Sequence, residues 1–205
     1  MRPTVLLTLL PVLAAAQSSW DRSYLTETPS FRQEPTVFLV SAVEDLEPGA
    51  ALDVGMGQGR NALFLAERGW RVTGFDVSQA GVNQAVTAAE EKGLEIEAVV
   101  EPAQRFDWGT NRWDLIVLAY FPFTRQMAAK IEESLKPGGH IVIEAYHADA
   151  KQDRPPGPSP GVTFATNELL ELFDGYRVLH YEDARGSADW GLFETRLVRL
   201  MARKE

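Results

Sequence analysis

The chain has 205 residues, of which 45% are apolar and 24% are charged, a composition typical of a globular protein. Its net charge is -9, and no run of Lys and Arg exceeds two residues. This argues against a nucleic-acid partner, because phosphate binding relies on clustered basic side chains. The absence of cysteine excludes disulfides and thiolate chemistry, and the three histidines lack ligand spacing, so no metal site is predicted.

Residues 1–16 show the pattern of a targeting segment. Arg2 precedes an apolar stretch at residues 5–13, and three alanines end at Ala16. This pattern predicts a signal peptide, and the apolar stretch is too short to span a bilayer as a helix. Cleavage would leave residues 17–205 as a single exported domain, periplasmic or secreted, with no integral membrane span. An uncleaved anchor, or an apolar N-terminal helix of a cytoplasmic enzyme, is the alternative.

From residue 36 the pattern alternates between helix and strand. A helix is predicted over residues 36–46 behind Pro35, because its apolar residues share one face. Residues 50–76 indicate a strand, a glycine turn, a helix and a second strand that ends in Asp76. Ser78 is then expected to cap a helix that ends at Lys92, and a third strand follows at residues 94–100.

The second half continues the alternation up to a terminal hairpin. The fourth strand, at residues 113–119, is almost entirely apolar, as a central parallel strand should be. A helix over residues 124–135 and a Lys-Pro-Gly-Gly turn lead into a strand at residues 140–146. The proline-rich residues 148–161 are predicted to form a long surface loop, and such loops are often lids. Thr166 is expected to cap a short helix, and two last strands form an antiparallel hairpin.

Three glycines follow the first strand directly, at positions 55, 57 and 59. Glycines at such a turn let a ligand lie against the backbone, and a carboxylate at the tip of the next strand, here Asp76, can accept two ribose hydroxyls. Arg60 stands where the dinucleotide fingerprint requires a small residue. The pattern therefore predicts a nucleoside site. A glycine turn that serves only strand–helix packing is the alternative.

The spacing Asp53-x-Gly-x-Gly-x-Gly, with Asp76 beyond it, resembles the first motif of the class I S-adenosylmethionine (SAM)-dependent methyltransferases. The GMGQGRN loop and the YRVLHYED ending are similar to those of small bacterial members of the tellurite-resistance-protein-like group. The resemblance covers nearly all of the chain from Trp20 onward. It implies an α/β fold: a three-layer, doubly wound, Rossmann-like seven-stranded sheet in the order 3-2-1-4-5-7-6, with strand 7 antiparallel.

The resemblance also implies SAM as the cofactor and S-adenosylhomocysteine as its product. Asp76 matches the ribose-binding acid of the family, and Asp53 could hold the cofactor's ammonium, through water. Glu101 matches the acid that accepts from the adenine amino group. Because Pro102 has no N–H, Ala103 or the next residue would contact the ring. The cofactor-binding residues implied are Asp53, Gly55, Met56, Gly57, Gly59, Asn61, Asp76, Val77, Glu101, Ala103 and Ala119.

Candidates for the acceptor side come from the segments around the end of the fourth strand. In small-molecule members of the family a W-D-x-x-Y segment folds over the cofactor, which makes Trp20 and Tyr24 lid candidates; a role in capping the core is the alternative. The topological switch is expected to place aromatic residues beside the acceptor. These are Phe121, Phe123 and Tyr146, with Tyr120 and His147 as candidates for a general base. The alternatives are that the aromatic residues only pack in the core and that His147 takes no part in the chemistry.

The predicted activity is in-line transfer of a methyl group from SAM to an O, N or S atom of a small-molecule acceptor. A non-catalytic binding protein that keeps the fold is one alternative. An NAD(P)-dependent oxidoreductase is another, disfavoured by Arg60 and by the terminal hairpin. The sequence predicts no oligomeric state.

Overall fold

The fold is a single mixed sheet with helices on both faces. It is described here from a computed structural model, which covers residues 19–153 and 162–205. The predicted signal peptide and part of the predicted proline-rich loop lie outside these residues. The strands are β1 (Ala50–Val54), β2 (Arg71–Asp76), β3 (Ile96–Val100), β4 (Trp113–Ala119), β5 (Leu135–His147), β6 (Thr163–Phe164), β7 (Tyr176–Ser187) and β8 (Glu194–Lys204).

The strand order is β3-β2-β1-β4-β5-β8-β7, with β6 paired in parallel to β5. Strands β1 to β5 are parallel, and β8 runs antiparallel to both β5 and β7. The predicted order 3-2-1-4-5-7-6 is confirmed, since the two-residue strand β6 only shifts the numbering of the last two strands. That strand was not predicted, because two residues beside a proline-rich segment show no periodicity.

The helices divide between the two faces. They are α1 (residues 19–24), α2 (Val37–Ala42), α3 (Arg60–Glu67), α4 (Gln79–Lys92), α5 (Arg125–Ser134), α6 (Ala150–Asp153) and α7 (Glu168–Leu172). Helices α2, α3 and α4 contribute to the core that contains Ala51 and Leu115, whereas α5 and α7 contribute to the core that contains Leu52 and Ile116. Alternate residues of β1 and β4 thus point to opposite faces, which gives three layers.

Local signals explain most of the helix boundaries. The side chain of Ser78 accepts from the N–H of Gly81 at 3.0 Å, which confirms it as the cap of α4. Three predictions were wrong. Helix α2 ends at Ala42 rather than at residue 46, and the residue at the N-cap position of α7 is Asn167 rather than Thr166. The predicted Lys-Pro-Gly-Gly turn lies within β5, which begins at Leu135. No helix within the described residues is both long and apolar enough to cross a membrane.

Candidate active site

A cavity of about 270 Å³ opens beyond the carboxyl ends of β1, β2 and β4. The strand order reverses here, between β1 and β4, which is where doubly wound sheets bind ligands. Most of its surface is apolar, and its acidic groups are Asp76 and Glu101. The lining residues are Trp20, Tyr24, Gly55, Phe75, Asp76, Val77, Glu101, Pro102, Ala103, Gln104, Ala119, Tyr120, Phe121, Pro122, Met127 and Trp190.

The backbone of the glycine turn packs closely against two aromatic side chains that line this cavity. Gly55 and Gly57 have φ angles of +70° and +54°, a region that side chains rarely adopt. A Cβ added at Gly55 would overlap the ring of Phe121, and one added at Gly57 would overlap the hydroxyl end of Tyr24. Both positions therefore require glycine for conformation and for space.

Three other predicted cofactor residues lie behind the turn rather than in the main cavity. Gly59 lines neither of the cavities described here and packs closely against Ala85 of α4. Met56 fills the space over Gly74, and the side-chain oxygen of Asn61 accepts the N–H of Thr36 at 3.0 Å. These residues position the turn and α2, and Met56 and Asn61 also line a second, smaller cavity.

Asp76 ends β2 and faces the main cavity with a carboxylate that backbone donors hold in place. One oxygen accepts the N–H of Gly57 at 3.0 Å, and the other accepts the N–H of Ser78 at 2.8 Å. Burial raises the pKa of Asp76, and these backbone donors oppose the shift. Each oxygen has further acceptor capacity, so the carboxylate can accept a pair of neighbouring hydroxyls.

Asp53 lines the smaller cavity, on the other side of the glycine turn. Asp53 is 2% exposed, and its Oδ2 atom has no hydrogen-bond partner among the described residues. Burial raises the pKa of Asp53 to about 7, although the charge of Arg60 acts in the opposite direction. A buried carboxylate with a free oxygen is costly unless a ligand satisfies it, so Asp53 suits a cationic donor.

The far end of the cavity is formed by residues 101–104, after β3. Glu101 donates its backbone N–H to the carbonyl of Asp76 at 2.9 Å, which holds the segment beside Asp76. The carbonyl of Ala103 accepts from the indole of Trp108 at 3.0 Å. Val77, Glu101, Ala103 and Ala119 all line the cavity, as the resemblance implied.

Helix α1 closes one side of the cavity. Asp21 accepts from the hydroxyl of Ser78 at 2.6 Å and from the N–H of Ala80 at 3.0 Å, which anchors α1 to the start of α4. This places Trp20 and Tyr24 in the cavity wall, where both make edge contacts with Trp190, at 5.7 Å and 6.1 Å between ring centroids. The W-D-x-x-Y segment therefore lies where a lid is needed.

Trp190 was missed in the sequence. It lies between β7 and β8, lines both cavities and stacks on Phe31 at 4.5 Å. An aromatic residue in the turn of the terminal hairpin (ADWG) was the available signal, but nothing in the pattern shows that this turn folds back over the first strand. Met127 of α5 was missed for the same kind of reason.

Tyr120 lines the cavity, but the contacts of its hydroxyl do not support the predicted role as a general base. Its hydroxyl donates to Glu144 at 2.6 Å and accepts the N–H of Asp189 at 3.1 Å. Burial, followed by the charge of Glu144, raises the pKa of Tyr120 well above its usual value, so the phenol stays protonated near neutral pH. Tyr120 also has a φ of +55°, a strained conformation at the end of β4.

His147 is not placed to act as a general base on a ligand in the cavity. Its side chain is 5% exposed and lines neither of the two cavities. Nδ1 accepts the N–H of Asp149 at 3.1 Å, and Nε2 lies 3.1 Å from the hydroxyl of Thr166. Arg196 pairs with the carboxylates of Asp149 and Asp183 around this ring, so His147 belongs to a structural polar cluster.

Of the three aromatic residues predicted to lie beside the acceptor, one lines the cavity and two are buried outside it. Phe121 lines the cavity, whereas Phe123 does not and is buried between Phe164 and Phe173, with centroids at 5.6 Å and 6.1 Å. Tyr146 is also buried outside the cavity, packs on Tyr120 at 4.9 Å and donates to the carbonyl of Trp190. Tyr146 thus supports the wall without touching its inner surface.

The comparison with known families agrees with this geometry. A family model described as a methyltransferase domain matches residues 51–139, which contain the glycine turn, Asp76 and β4. The methyltransferase domain over these residues and the similarity to TehB support a class I SAM-dependent methyltransferase of the group that includes TehB. SAM is the cofactor of that family.

Similar proteins lie within this family at moderate identity. A probable SAM-dependent methyltransferase TehB of Haemophilus influenzae is 29% identical over 154 residues, covering 72% of this chain and 53% of that protein. The chain thus spans about half the length of the curated relatives it matches. The crystal structure of TehB from H. influenzae matches with a TM-score of 0.71 and 24% identity, over 92% of this chain and 67% of that one.

A third match holds a ligand. The 1,6-didemethyltoxoflavin-N1-methyltransferase of Burkholderia thailandensis, solved with 1,6-didemethyltoxoflavin and S-adenosylhomocysteine, has a TM-score of 0.69 and 21% identity. The match covers 99% of this chain and 93% of that chain. At this identity the likeness shows the fold, and the residues of this chain must carry the case for a site.

Those residues fit SAM. Asp76 offers acceptors for ribose hydroxyls, the segment at residues 101–104 forms another part of the cavity wall, and Asp53 has a free buried oxygen on the opposite side of the turn. Bound along these groups, the cofactor would place its adenine, ribose and amino-acid parts in that order. The described residues contain no group of three or more His, Cys, Asp and Glu side chains arranged for a metal.

Proposed function

We propose that this protein transfers the methyl group of SAM to a small, uncharged, nucleophilic acceptor. The observation that carries the proposal is the position of the two acids, Asp76 in the main cavity and Asp53, whose Oδ2 has no partner among the described residues, beyond the glycine turn. A glycine turn that served only packing would not need a buried carboxylate with a free oxygen, because such a group costs stability.

The cofactor supplies an electrophilic methyl group on a positively charged sulfur when it is bound. Asp76 would bind and orient the ribose, and Asp53 would hold the ammonium. Gly55 and Ala119 line both cavities, between these two acids. Tyr120 and Phe121 follow Ala119 directly and present aromatic faces to this region, which suits a cation. Trp20, Tyr24 and Trp190 exclude water from the same space.

The protein contributes chiefly alignment. Good orientation of two reactants is worth roughly 7–11 kcal/mol of the barrier, which is sufficient for much of the catalysis. The hydroxyl of Tyr120 is engaged with Glu144, and His147 lies outside the cavity. We therefore infer that the acceptor needs no protein base near neutral pH. An unprotonated aromatic or heterocyclic nitrogen is nucleophilic as it stands, and a neutral thiol or phenol of low pKa forms its anion in solution.

The aromatic wall of the cavity supports the proposal of an uncharged acceptor. Its side chains are Trp20, Tyr24, Tyr120, Phe121 and Trp190, and none carries a charge. A nucleic-acid acceptor is disfavoured in this proposal by the net charge of -9. Export of the protein stays a prediction from residues 1–16.

A methyl-transfer assay tests the proposal. The purified protein is incubated with methyl-labelled SAM and a panel of small uncharged thiols, amines and phenols, and labelled product is counted. We expect turnover on at least one panel member, and less turnover by Asp76→Ala. Tight binding of S-adenosylhomocysteine without turnover on any member would favour the alternative, a binding protein that keeps the fold.

A further inference from the structure

The β7–β8 turn (residues 188–193) folds back and pairs with the segment that joins α1 to α2. Phe31 and Trp190 form an antiparallel bridge between the two segments. The N–H of Arg32 donates to the carbonyl of Asp189 at 2.8 Å, which extends the pairing. The turn therefore moves together with the segment that follows α1, and this pairing brings it to the cavity.

Trp190 is the residue through which this turn reaches the site. It lines both cavities, and among the described residues every other lining residue of either cavity lies at or before Met127. Its indole stacks on Phe31, with 4.5 Å between the ring centroids and 4° between the ring planes. Trp20 and Tyr24 meet the same indole edge-on. One side chain from the terminal hairpin thus completes the aromatic wall.

Asp189 holds this indole in place. Its side chain is 6% exposed, and its two oxygens pair with the guanidinium groups of Arg32 and Arg60, each at 3.1 Å. Its backbone N–H also donates to the hydroxyl of Tyr120 at 3.1 Å. Because the loss of one partner from a buried ion pair is costly, these contacts fix the turn against the start of α3 and the end of β4.

The backbone of the turn shows that its position is imposed by these contacts. Leu192 has a φ of +53°, which is unfavourable for a residue other than glycine. Such a conformation persists only where the surrounding structure determines it, and Leu192 is itself 50% exposed. The contacts of its neighbours Asp189 and Trp190 therefore offset the strain.

The acceptor has to enter on the side of this aromatic wall. The main cavity, of about 270 Å³, is smaller than the roughly 300–1,000 Å³ of pockets for drug-sized ligands, so it has no room for a cofactor and an acceptor together. The glycine turn and the end of β4 form one side of it, and the sheet holds them in place. Room for the acceptor therefore comes from the side of Trp20, Tyr24 and Trp190.

We propose that Trp190 selects the acceptor, favouring a flat aromatic or heteroaromatic molecule, and that Asp189 is the positioning residue that fixes the indole. This rests on the proposed function and adds the class of acceptor to it. A flat ring can stack on an indole or meet neighbouring rings edge-on, which are the geometries that aromatic pairs prefer. A saturated ring of the same size is puckered and gains only apolar burial.

Two thiols with six-membered rings separate the shape of an acceptor from its size. Benzenethiol is flat, and cyclohexanethiol is puckered. Each is titrated calorimetrically into the protein saturated with S-adenosylhomocysteine, so the cofactor site is filled and binding is measured whether or not the thiol is a substrate. We expect the wild type to bind benzenethiol about three- to tenfold more tightly than cyclohexanethiol. In Trp190→Ala this ratio should fall below about twofold.

Asp189→Ala tests the positioning role. The variant keeps the backbone N–H that donates to Tyr120 but loses both ion pairs, so the ratio should fall as it does in Trp190→Ala. Combining the two changes should give the same ratio as Trp190→Ala alone, because Asp189 acts through the indole. Asp189→Asn keeps an acceptor oxygen and should recover part of the ratio. Lower stability alone would reduce the folded fraction without changing the ratio, and a wild-type ratio in Asp189→Ala would refute the positioning role.

Leu192→Ala is the matched control, because Leu192 belongs to the same turn but lines neither of the two cavities. It should keep the wild-type ratio. An unchanged ratio in Trp190→Ala, an equal loss of both thiols, or no binding of benzenethiol by the wild-type complex would overturn the proposal. Trp190→Leu provides the same comparison if Trp190→Ala does not fold.

The same titrations separate this proposal from the proposed function. S-adenosylhomocysteine is titrated first into every variant, which establishes the concentration needed for saturation. If the wild type does not bind it, the proposed function fails and the role of Trp190 fails with it. Binding of S-adenosylhomocysteine with a thiol ratio that Trp190→Ala leaves unchanged refutes only the role of Trp190.

Discussion

The hydroxyl of Tyr120 donates a 2.6 Å hydrogen bond to the buried carboxylate of Glu144. The other oxygen of Glu144 pairs with Arg199 at 2.6 Å, and the same hydroxyl accepts the N–H of Asp189. These contacts tie the end of β4 to β5, to β8 and to the turn that carries Trp190. The phenol therefore positions the aromatic wall of the site, and its proton is not available to an acceptor.

Tyr120→Phe tests this positioning role. The variant loses a buried hydrogen bond to a charged group, so the free energy of unfolding should fall by about 1.5–3 kcal/mol, measured by urea denaturation. Methyl transfer to the acceptor found in the labelled-methyl screen should keep the shape of its pH profile. A variant with normal stability and normal S-adenosylhomocysteine binding but no turnover would instead place the hydroxyl in the chemical step.

His147→Gln tests the conclusion that His147 takes no part in the chemical step. The change disturbs the contacts with Thr166 and Asp149, so stability should fall by about 1 kcal/mol. The pH dependence of the rate should match that of the wild type. His180→Gln, at a half-exposed histidine of β7, is the control and should change neither quantity. Loss of one limb of the pH profile in His147→Gln alone would restore the histidine as a base.

Asp53→Asn tests the buried carboxylate through its pH dependence. Burial raises the pKa of Asp53 to about 7, above its unfolded value, so folding takes up a proton between about pH 4 and pH 7. The free energy of unfolding contributed by Asp53 therefore decreases as pH rises through this window and is constant above it. Urea denaturation of the wild type and of Asp53→Asn across this pH window gives the difference in their free energies of unfolding. That difference isolates the pH dependence due to Asp53 from that due to Asp76.

Ligand binding should show the opposite trend. The ammonium of S-adenosylhomocysteine pairs with the ionised carboxylate, so wild-type affinity should rise by up to about tenfold per pH unit below the pKa of Asp53. Asp53→Asn should bind more weakly and without this dependence. Parallel stability curves and parallel affinity curves for the two proteins would remove Asp53 from the site.

Asp21→Ala tests the attachment of the lid. The variant loses the acceptor for the Ser78 hydroxyl and for the N–H of Ala80, so α1 should detach from the start of α4. We expect faster dissociation of S-adenosylhomocysteine, by about threefold to tenfold, measured by stopped-flow fluorescence of the tryptophans in the wall. Glu27→Ala, at an exposed acid just beyond α1, should have no effect. Unchanged dissociation in Asp21→Ala would show that α1 does not gate the site.

The fold could be predicted because its central strands leave little choice. The apolar runs of β1 and β4 require burial on both faces, and the terminal hairpin sets the antiparallel edge. The glycine turn and Asp76 are adjacent in one strand–turn–helix–strand unit, so local spacing is sufficient to place them beside a common cavity. Whether they bind SAM stays a prediction.

The rest of the site could not be predicted, because it depends on tertiary contacts that local sequence patterns do not reveal. His147 and Tyr146 are neighbours at the end of β5 and point to opposite faces, and neither side chain reaches the cavity. Trp190 lines the cavity only because the β7–β8 turn folds back on Phe31.

The most direct test of the account is calorimetric titration of S-adenosylhomocysteine into the purified protein, beside Asp76→Ala. Asp114→Asn is a suitable control, because Asp114 also accepts a backbone N–H, that of Ala50, but at the opposite end of β4. The account predicts micromolar binding by the wild type and by Asp114→Asn, and a loss of at least about tenfold in Asp76→Ala. No binding by the folded wild-type protein would contradict the assignment of a SAM site.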